Sequence, residues 1–318
     1  MTPAPAAGSW TTDDIGDLHG TTVVLTGVTG GLGTEVAFQL AHHGAKIVAA
    51  GRDLATVEDA LSALRHGVRD AQALAVRLDL ADLDSVAAAA TEIAERAGRI
   101  DVLINNAGIM AAPFRTSAQG FELQMATNHL GHFALTAHLW PTLTTSRARV
   151  VSVSSLMHSF ARKLDLRSLE PGAPLARYDR WGAYAQSKLA NLLFMRELDR
   201  RVRAAGIDVT SLGAHPGYAL TQLSRSGLQL GGRSLQGAVV HQVSRAVAQS
   251  ASAGAWPIER AATDPTLEGG AYVGPSGFRQ LRGRPKPVGM TALARDPELA
   301  AELWDASETA AGVRFTIG

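Results

Sequence analysis

Tyr184 and Lys188 stand four residues apart at the start of an apolar-periodic stretch that runs to about Arg203. On a helix this spacing puts both side chains on one face, within mutual reach. A phenol beside an ammonium is an acid–base device, because the cation favours the phenolate that takes a proton from a substrate oxygen. A free tyrosine has a pKa near 10, about three units too high for base work at neutral pH, so the lysine matters. The chain holds only four tyrosines, which makes a chance pairing at this spacing uncommon.

A second cluster suits a phosphate. Thr26-Gly27-Val28-Thr29-Gly30-Gly31-Leu32-Gly33 follows a short apolar run and leads into a stretch carrying Val36 and Leu40. Glycines there let the backbone turn sharply and approach a pyrophosphate, while the helix that follows offers free N–H groups and a positive dipole end. The placement between strand and helix, more than the glycines themselves, points to a bound dinucleotide. The next strand ends in Gly51-Arg52-Asp53. An acid at the strand end would hold the adenosine ribose and select NAD(H), whereas Arg52 can pair with a 2′-phosphate and favours NADP(H). Asp53 could also reach the ribose, but it precedes Leu54–Leu64 and reads better as a helix N-cap.

Positioning these groups requires a framework. From Thr21 onward short β-branched runs alternate with amphipathic stretches such as Asp82–Ala97. The runs are Thr21–Thr26, Lys46–Ala50, Gln72–Leu78, Asp101–Ile104, Arg149–Val153 and Ile207–Leu212, with Ala271–Gly274 at the far edge. Apolar on both faces, they read as strands of a buried parallel sheet, and the alternation predicts a Rossmann-type doubly wound α/β fold with helices on both faces. The expected layout is a loose N-terminal arm over residues 1–20, pinned at most by Trp10, and a single domain over 21–318. Met157–Arg180 reads as a polar insertion, and a Gly- and Ser-rich segment at about 218–260 reads as a substrate lid.

Composition narrows the field. A net charge of +1 gives no push toward nucleic acid, and the absence of cysteine excludes disulfides, thiol catalysis and Cys-ligated zinc. The expectation is a soluble, cytoplasmic protein without a membrane span or signal peptide.

Further motifs complete a pattern. Asn105-Asn106-Ala107-Gly108, the pair Ser154-Ser155 closing a strand, and Tyr184-x-x-x-Lys188 follow the glycine loop in order. Thr127-Asn128-His129-Leu130-Gly131, Asp79-Leu80 and Pro216-Gly217 add to them. With these the chain resembles the short-chain dehydrogenase/reductase family from about Thr21 to Gly217, and more loosely beyond. Gly51-Arg52-Asp53, Asn128-His129-Leu130-Gly131-His132-Phe133 and Ser187-Lys188-Leu189-Ala190-Asn191 are similar to the retinol-dehydrogenase-like branch, whose relatives often favour NADP. Membrane-bound members carry an apolar N-terminal anchor, which is not seen here.

The resemblance implies hydride exchange between the nicotinamide and a carbonyl or alcohol, with Asn128, Ser155, Tyr184 and Lys188 as the catalytic set. Tyr184 would move the proton and Ser155 would hold the substrate oxygen. Lys188 and the positive nicotinamide ring of the oxidised cofactor would lower the Tyr184 pKa; Lys188 would also bind the nicotinamide ribose, and Asn128 would hold a water linking Lys188 to solvent. Ser155 is preferred to Ser154 because the family's serine is the second of such a pair, and alternation lets only one face the cleft. Cofactor contacts are expected at Gly27, Thr29, Gly31, Leu32 and Gly33, and at Arg52, Asp79 and Leu80. Asn106, Ala107, Gly108, Tyr184, Lys188, Pro216, Gly217 and Thr221 complete them. The expected substrate is a small to medium apolar aldehyde, ketone or secondary alcohol. The expected assembly is a homodimer or homotetramer formed through the helices bearing Asn128 and Tyr184.

Three alternatives stay open: an NAD-linked alcohol dehydrogenase, a non-catalytic dinucleotide-binding regulator, and reduction of a carbon–carbon double bond. His129 and His132 lack a ligand set to complete a metal site, so none is expected. His215 reads as structural, and Arg162, Lys163, Arg167, Arg177 and Arg180 as a solvated loop face.

Overall fold

The computed structural model describes residues 10–173, 177–218 and 250–317. Its aliphatic runs become β1 (Thr22–Thr26), β2 (Lys46–Gly51), β3 (Ala73–Arg77), β4 (Val102–Asn105), β5 (Arg149–Val153), β6 (Thr210–Ala214), β7 (Tyr272–Pro275) and β8 (Pro285–Pro287). They form one sheet in the order β3-β2-β1-β4-β5-β6-β7-β8. The strands from β3 across to β7 pair in parallel, and β8 returns antiparallel to β7.

Helices cover both faces: α1 (Gly31–His42), α2 (Leu54–Gly67), α3 (Leu83–Ala97), α4 (Leu123–Met125), α5 (Gly131–His138), α6 (Trp140–Ser146), α7 (Arg180–Ala205), α8 (Ala251–Thr263) and α9 (Pro297–Ala311). Alternation along the strands divides the core. Val23, Leu25 and Ile47 pack with Val36, Leu40, Leu61 and Ile258 of α1, α2 and α8. Val24, Val48 and Leu103 pack with Val86, Ile93, Phe133 and Leu198 of α3, α5 and α7. The chain winds outward from β1 in one direction and from β4 in the other. This opens a crevice at their carboxyl ends, where such sheets bind ligands.

Three expectations are corrected. The strand expected over Ile207–Leu212 begins later, at Thr210, because Gly206 ends α7 in the left-handed conformation (φ 65°) and Ile207 still bonds back to Val202. Of the arm expected over 1–20, residues 10–20 are described: Trp10 and Ile15 are buried, and the others are exposed or half-buried. Of the lid expected over 218–260, residues from Ala251 onward form α8, capped by Ser250 and buried through Ala255, Ile258 and Ala261. The remainder of that lid, 219–249, and Thr221 lie outside the described residues. Finally, β8 was not expected: two of its three residues are proline, tolerated because it is an edge strand.

Candidate active site

The glycine loop turns as its residues require. Gly27 adopts φ 77°, and a Cβ there would sit 2.8 Å from the Ala107 Cα. A Cβ on Gly33 would sit 2.2 Å from the Gly27 carbonyl oxygen, so only glycine allows α1 to start this close to β1. A cradle of this kind, ending on a helix N-terminus, fits a pyrophosphate. Gly31 and Leu32 open α1 beside it, and Thr29 lies exposed on the loop.

Beneath the loop Thr26 is a junction. Its hydroxyl accepts from the Asn106 and Ala107 N–H groups, each at 2.9 Å, and meets His132 Nε2 at 2.9 Å. The Asn106 side chain donates to the Thr26 carbonyl at 2.8 Å. These bonds tie the ends of β1 and β4 together and fix the Asn106-Ala107-Gly108 turn along the crevice. At the neighbouring strand ends Arg52 is exposed after β2, and Asp79 follows β3 with its carboxylate accepting from Ala81 N–H at 3.0 Å. Leu80 is buried next to it. Asp53 caps α2, accepting from Thr56 N–H at 3.2 Å.

The acid–base pair sits on α7, which Asp179 caps. The Ser155 hydroxyl lies near enough to the Tyr184 phenol to favour its deprotonated form. The Ser154 hydroxyl is buried and donates to the Lys188 carbonyl at 2.7 Å. Lys188 Nζ donates to the Val153 carbonyl at 3.0 Å and lies 6.0 Å from the Tyr184 ring centre. Burial pushes the Lys188 pKa down to about 8 and the Tyr184 phenol up to about 12. Desolvation of the phenol sets this direction, and the nearby Ser155 hydroxyl opposes it.

Asn128 lies in a wide π turn, Ala126–Leu130, between α4 and α5. Its Oδ1 accepts from Ile109 N–H at 2.8 Å, and its Nδ2 donates to Ile109 O and Ser187 Oγ, both at 2.9 Å. Its carboxamide serves as a strut between the β4 turn and α7. A Cβ on Gly108 would lie 3.0 Å from Asn128 Oδ1 and 3.4 Å from Lys188 Nζ, so glycine lets the turn pass close to both.

His129 and His132 are core side chains. His129 meets Ser307 at 2.8 Å, His132 holds Thr26, and burial pushes their pKa values down to about 3 and about 4. The His132–Thr26 contact spans 106 residues and has no local signal in the sequence.

A sequence model described as short chain dehydrogenase matches residues 21–163. Mouse Retinol dehydrogenase 14 is 36% identical over 314 residues, covering 94% of this chain and 88% of that protein. The chain belongs to the short-chain dehydrogenase family. Within it, this dehydrogenase falls in the retinol-dehydrogenase-like branch: human Retinol dehydrogenase 13 is 41% identical over 209 residues, 65% of this chain and 62% of that protein. The match thus spans less than two thirds of the human relative's length. A solved protein from Mycobacterium paratuberculosis shares 39% identity at a TM-score of 0.78, covering 97% of this chain and 99% of its own. An NAD(P)-dependent gluconate 5-dehydrogenase structure from Beutenbergia cavernae, with NADP bound at low occupancy, shares 26% identity at a TM-score of 0.59, covering 78% and 91%.

Proposed function

We propose that this short-chain dehydrogenase is an NADP(H)-dependent oxidoreductase that interconverts an apolar carbonyl compound and its alcohol. The observation that carries the reading is the Ser155–Tyr184 hydroxyl pair, with Lys188 behind it and the Gly108 turn alongside. Bound in the crevice, the nicotinamide would supply or accept the hydride. Ser155 holds the substrate oxygen, which concentrates hydrogen-bond donation where charge develops. Tyr184 gives its proton to that oxygen in the reducing direction and takes it back in the other. Lys188, still mostly protonated at neutral pH with a pKa near 8, favours the phenolate left on Tyr184 and can bind ribose hydroxyls.

Two observations favour NADP(H). Arg52 has no ion pair among the described residues, and Asp53 is engaged as the α2 cap. An apolar substrate is supported by Phe114, Phe160 and Trp181, exposed on segments at the carboxyl end of the sheet, and by relatives named for retinol.

The test is NADPH consumption by purified protein against aldehydes and ketones graded by size and polarity, with Tyr184→Phe as the blank. Turnover that falls by at least roughly 100-fold in the variant, with NADPH still bound, is expected of a lost proton donor. A variant as fast as wild type would sink the mechanism. NADPH binding without turnover on any substrate would favour the regulatory alternative.

A further inference from the structure

We propose that His215 and Gln280 form a positioning pair that holds the Pro216–Gly217 turn against the nicotinamide end of the crevice. This rests on the oxidoreductase reading and adds residues to it.

His215 follows β6 directly and is fully buried. The Gly217 N–H donates to its Nδ1 at 3.1 Å, so Nδ1 carries the lone pair. The ring's single proton then sits on Nε2, which donates to Gln280 Oε1 at 2.9 Å. One imidazole therefore reads the turn with one nitrogen and an opposing loop with the other. The ring is packed on every side the structure describes. Tyr272 lies 5.1 Å away between ring centres, and a Cβ on Gly274 would come within 2.0 Å of Nε2. Burial pushes the His215 pKa down to about 3, which keeps the Nδ1 lone pair available at physiological pH.

The loop supplying Gln280 joins β7 to β8. Arg279 (φ 49°) and Gln280 (φ 59°) are consecutive non-glycine residues in the left-handed region, an unfavourable conformation. They are the central pair of a type I′ turn, closed by Leu281 N–H donating to Phe278 O at 3.1 Å, which reverses the chain from β7 into β8 without the glycine or asparagine usual there. The same conformation directs the Gln280 side chain onto His215 and brings the neighbouring backbone against the Pro216–Gly217 turn. Tyr218 N–H donates to Leu281 O at 2.8 Å. A Cβ on Gly217 (φ 66°) would fall 2.6 Å from Leu281 O and 3.0 Å from Gln280 O. This hairpin turn thus holds Gln280 and Leu281 against the Pro216–Gly217 turn. The turn it fixes lies at the carboxyl end of β6, beside β5 with Ser155 just beyond its end.

The experiment compares His215→Leu, Gln280→Leu and His215→Asn with wild type. Three quantities are read: kcat with the best carbonyl substrate, affinity for adenosine 2′,5′-bisphosphate, and hydrogen exchange of the Gly217 amide in the cofactor-free protein. Asparagine two residues before Gly217 can still accept its N–H as an Asx-turn, whereas leucine cannot. Expected are an exchange rate raised and kcat lowered at least roughly tenfold in both leucine variants, as for a reacting group misplaced by a fraction of an ångström. Bisphosphate affinity should stay at the wild-type value, and His215→Asn should recover most of both losses. Wild-type kcat and Gly217 exchange in His215→Leu would overturn the proposal and leave the oxidoreductase reading intact. Equal loss of bisphosphate binding would also overturn it, by showing general damage to the fold. A wild-type protein that binds bisphosphate but not NADPH would remove the oxidoreductase reading, and the proposal with it.

Discussion

Thr26 shows how much one hydroxyl can carry. It satisfies two backbone N–H groups of the β4 turn and a buried histidine together. Thr26→Val keeps the shape but leaves the Ala107 N–H without an acceptor, at about 1–3 kcal/mol, while the Asn106 N–H keeps its bond to Ile104 O at 3.0 Å. Denaturant unfolding should show that loss, and calorimetry should show weaker NADPH binding. Unchanged stability would mean that the turn finds other acceptors. Arg52 acts on selectivity instead. Arg52→Ala should weaken NADPH binding at least about tenfold, the worth of one charge-assisted hydrogen bond, while NADH binding stays constant. Equal effects on the two cofactors would exclude a 2′-phosphate contact. Residues were legible where chemistry is local. The Tyr184–Lys188 spacing lies within one helical turn, and Asp53 caps the helix that follows it. The Thr26–His132 and His215–Gln280 pairs lie 106 and 65 residues apart in sequence and meet only through the sheet.

Among the elements, α8 was hidden by its composition. Gly254 and Pro257 argue against a helix, yet Ser250 caps it and its apolar stripe packs on α1 and the sheet. The helix also buries a carboxyl group. Glu259 is fully buried, and neither of its oxygens has a hydrogen-bond partner. Burial, with Glu35 nearby, pushes its pKa up from 4.5 to about 8. Between these values the native protein holds a proton that the unfolded chain releases, so folding becomes less favourable as pH rises. The contribution is complete below about 4.5 and is lost as pH climbs through about 8. Its slope is at most roughly 1.4 kcal/mol per pH unit. Glu259→Gln should thus raise Tm over wild type at pH 8, with the gain shrinking toward pH 4.5. Parallel Tm curves would show that Glu259 reaches water. β6 and β8 were misread for related reasons: Ile207 and Val209 look like strand while serving the end of α7, and prolines look like loop while completing an edge.

At the scale of the molecule, α9 bears on assembly. Leu303 and Ala300 pack on Leu189 and Leu192 of α7. Trp304 lies 5.2 Å from Phe133 of α5 and 5.8 Å from Phe194 of α7, with Phe315 closing over it at 4.6 Å. These are the helices through which pairing of subunits was expected, and the chain's own carboxyl-terminal segment covers apolar surface on both. Light scattering should therefore report a single-subunit mass, and a stable dimer would show that another face pairs. Trp304→Ala should cost about 3–5 kcal/mol in denaturant unfolding and promote association through the uncovered rings.

The short strand β8 has its own bearing on the company the protein keeps. Of its three residues only Lys286 has an amide hydrogen to offer, since Pro285 and Pro287 have none. A bare sheet margin invites a stray strand from another molecule, and growth from such margins leads to fibres. Here that margin ends in two prolines flanking an exposed ammonium side chain, which blocks growth of the sheet beyond β8.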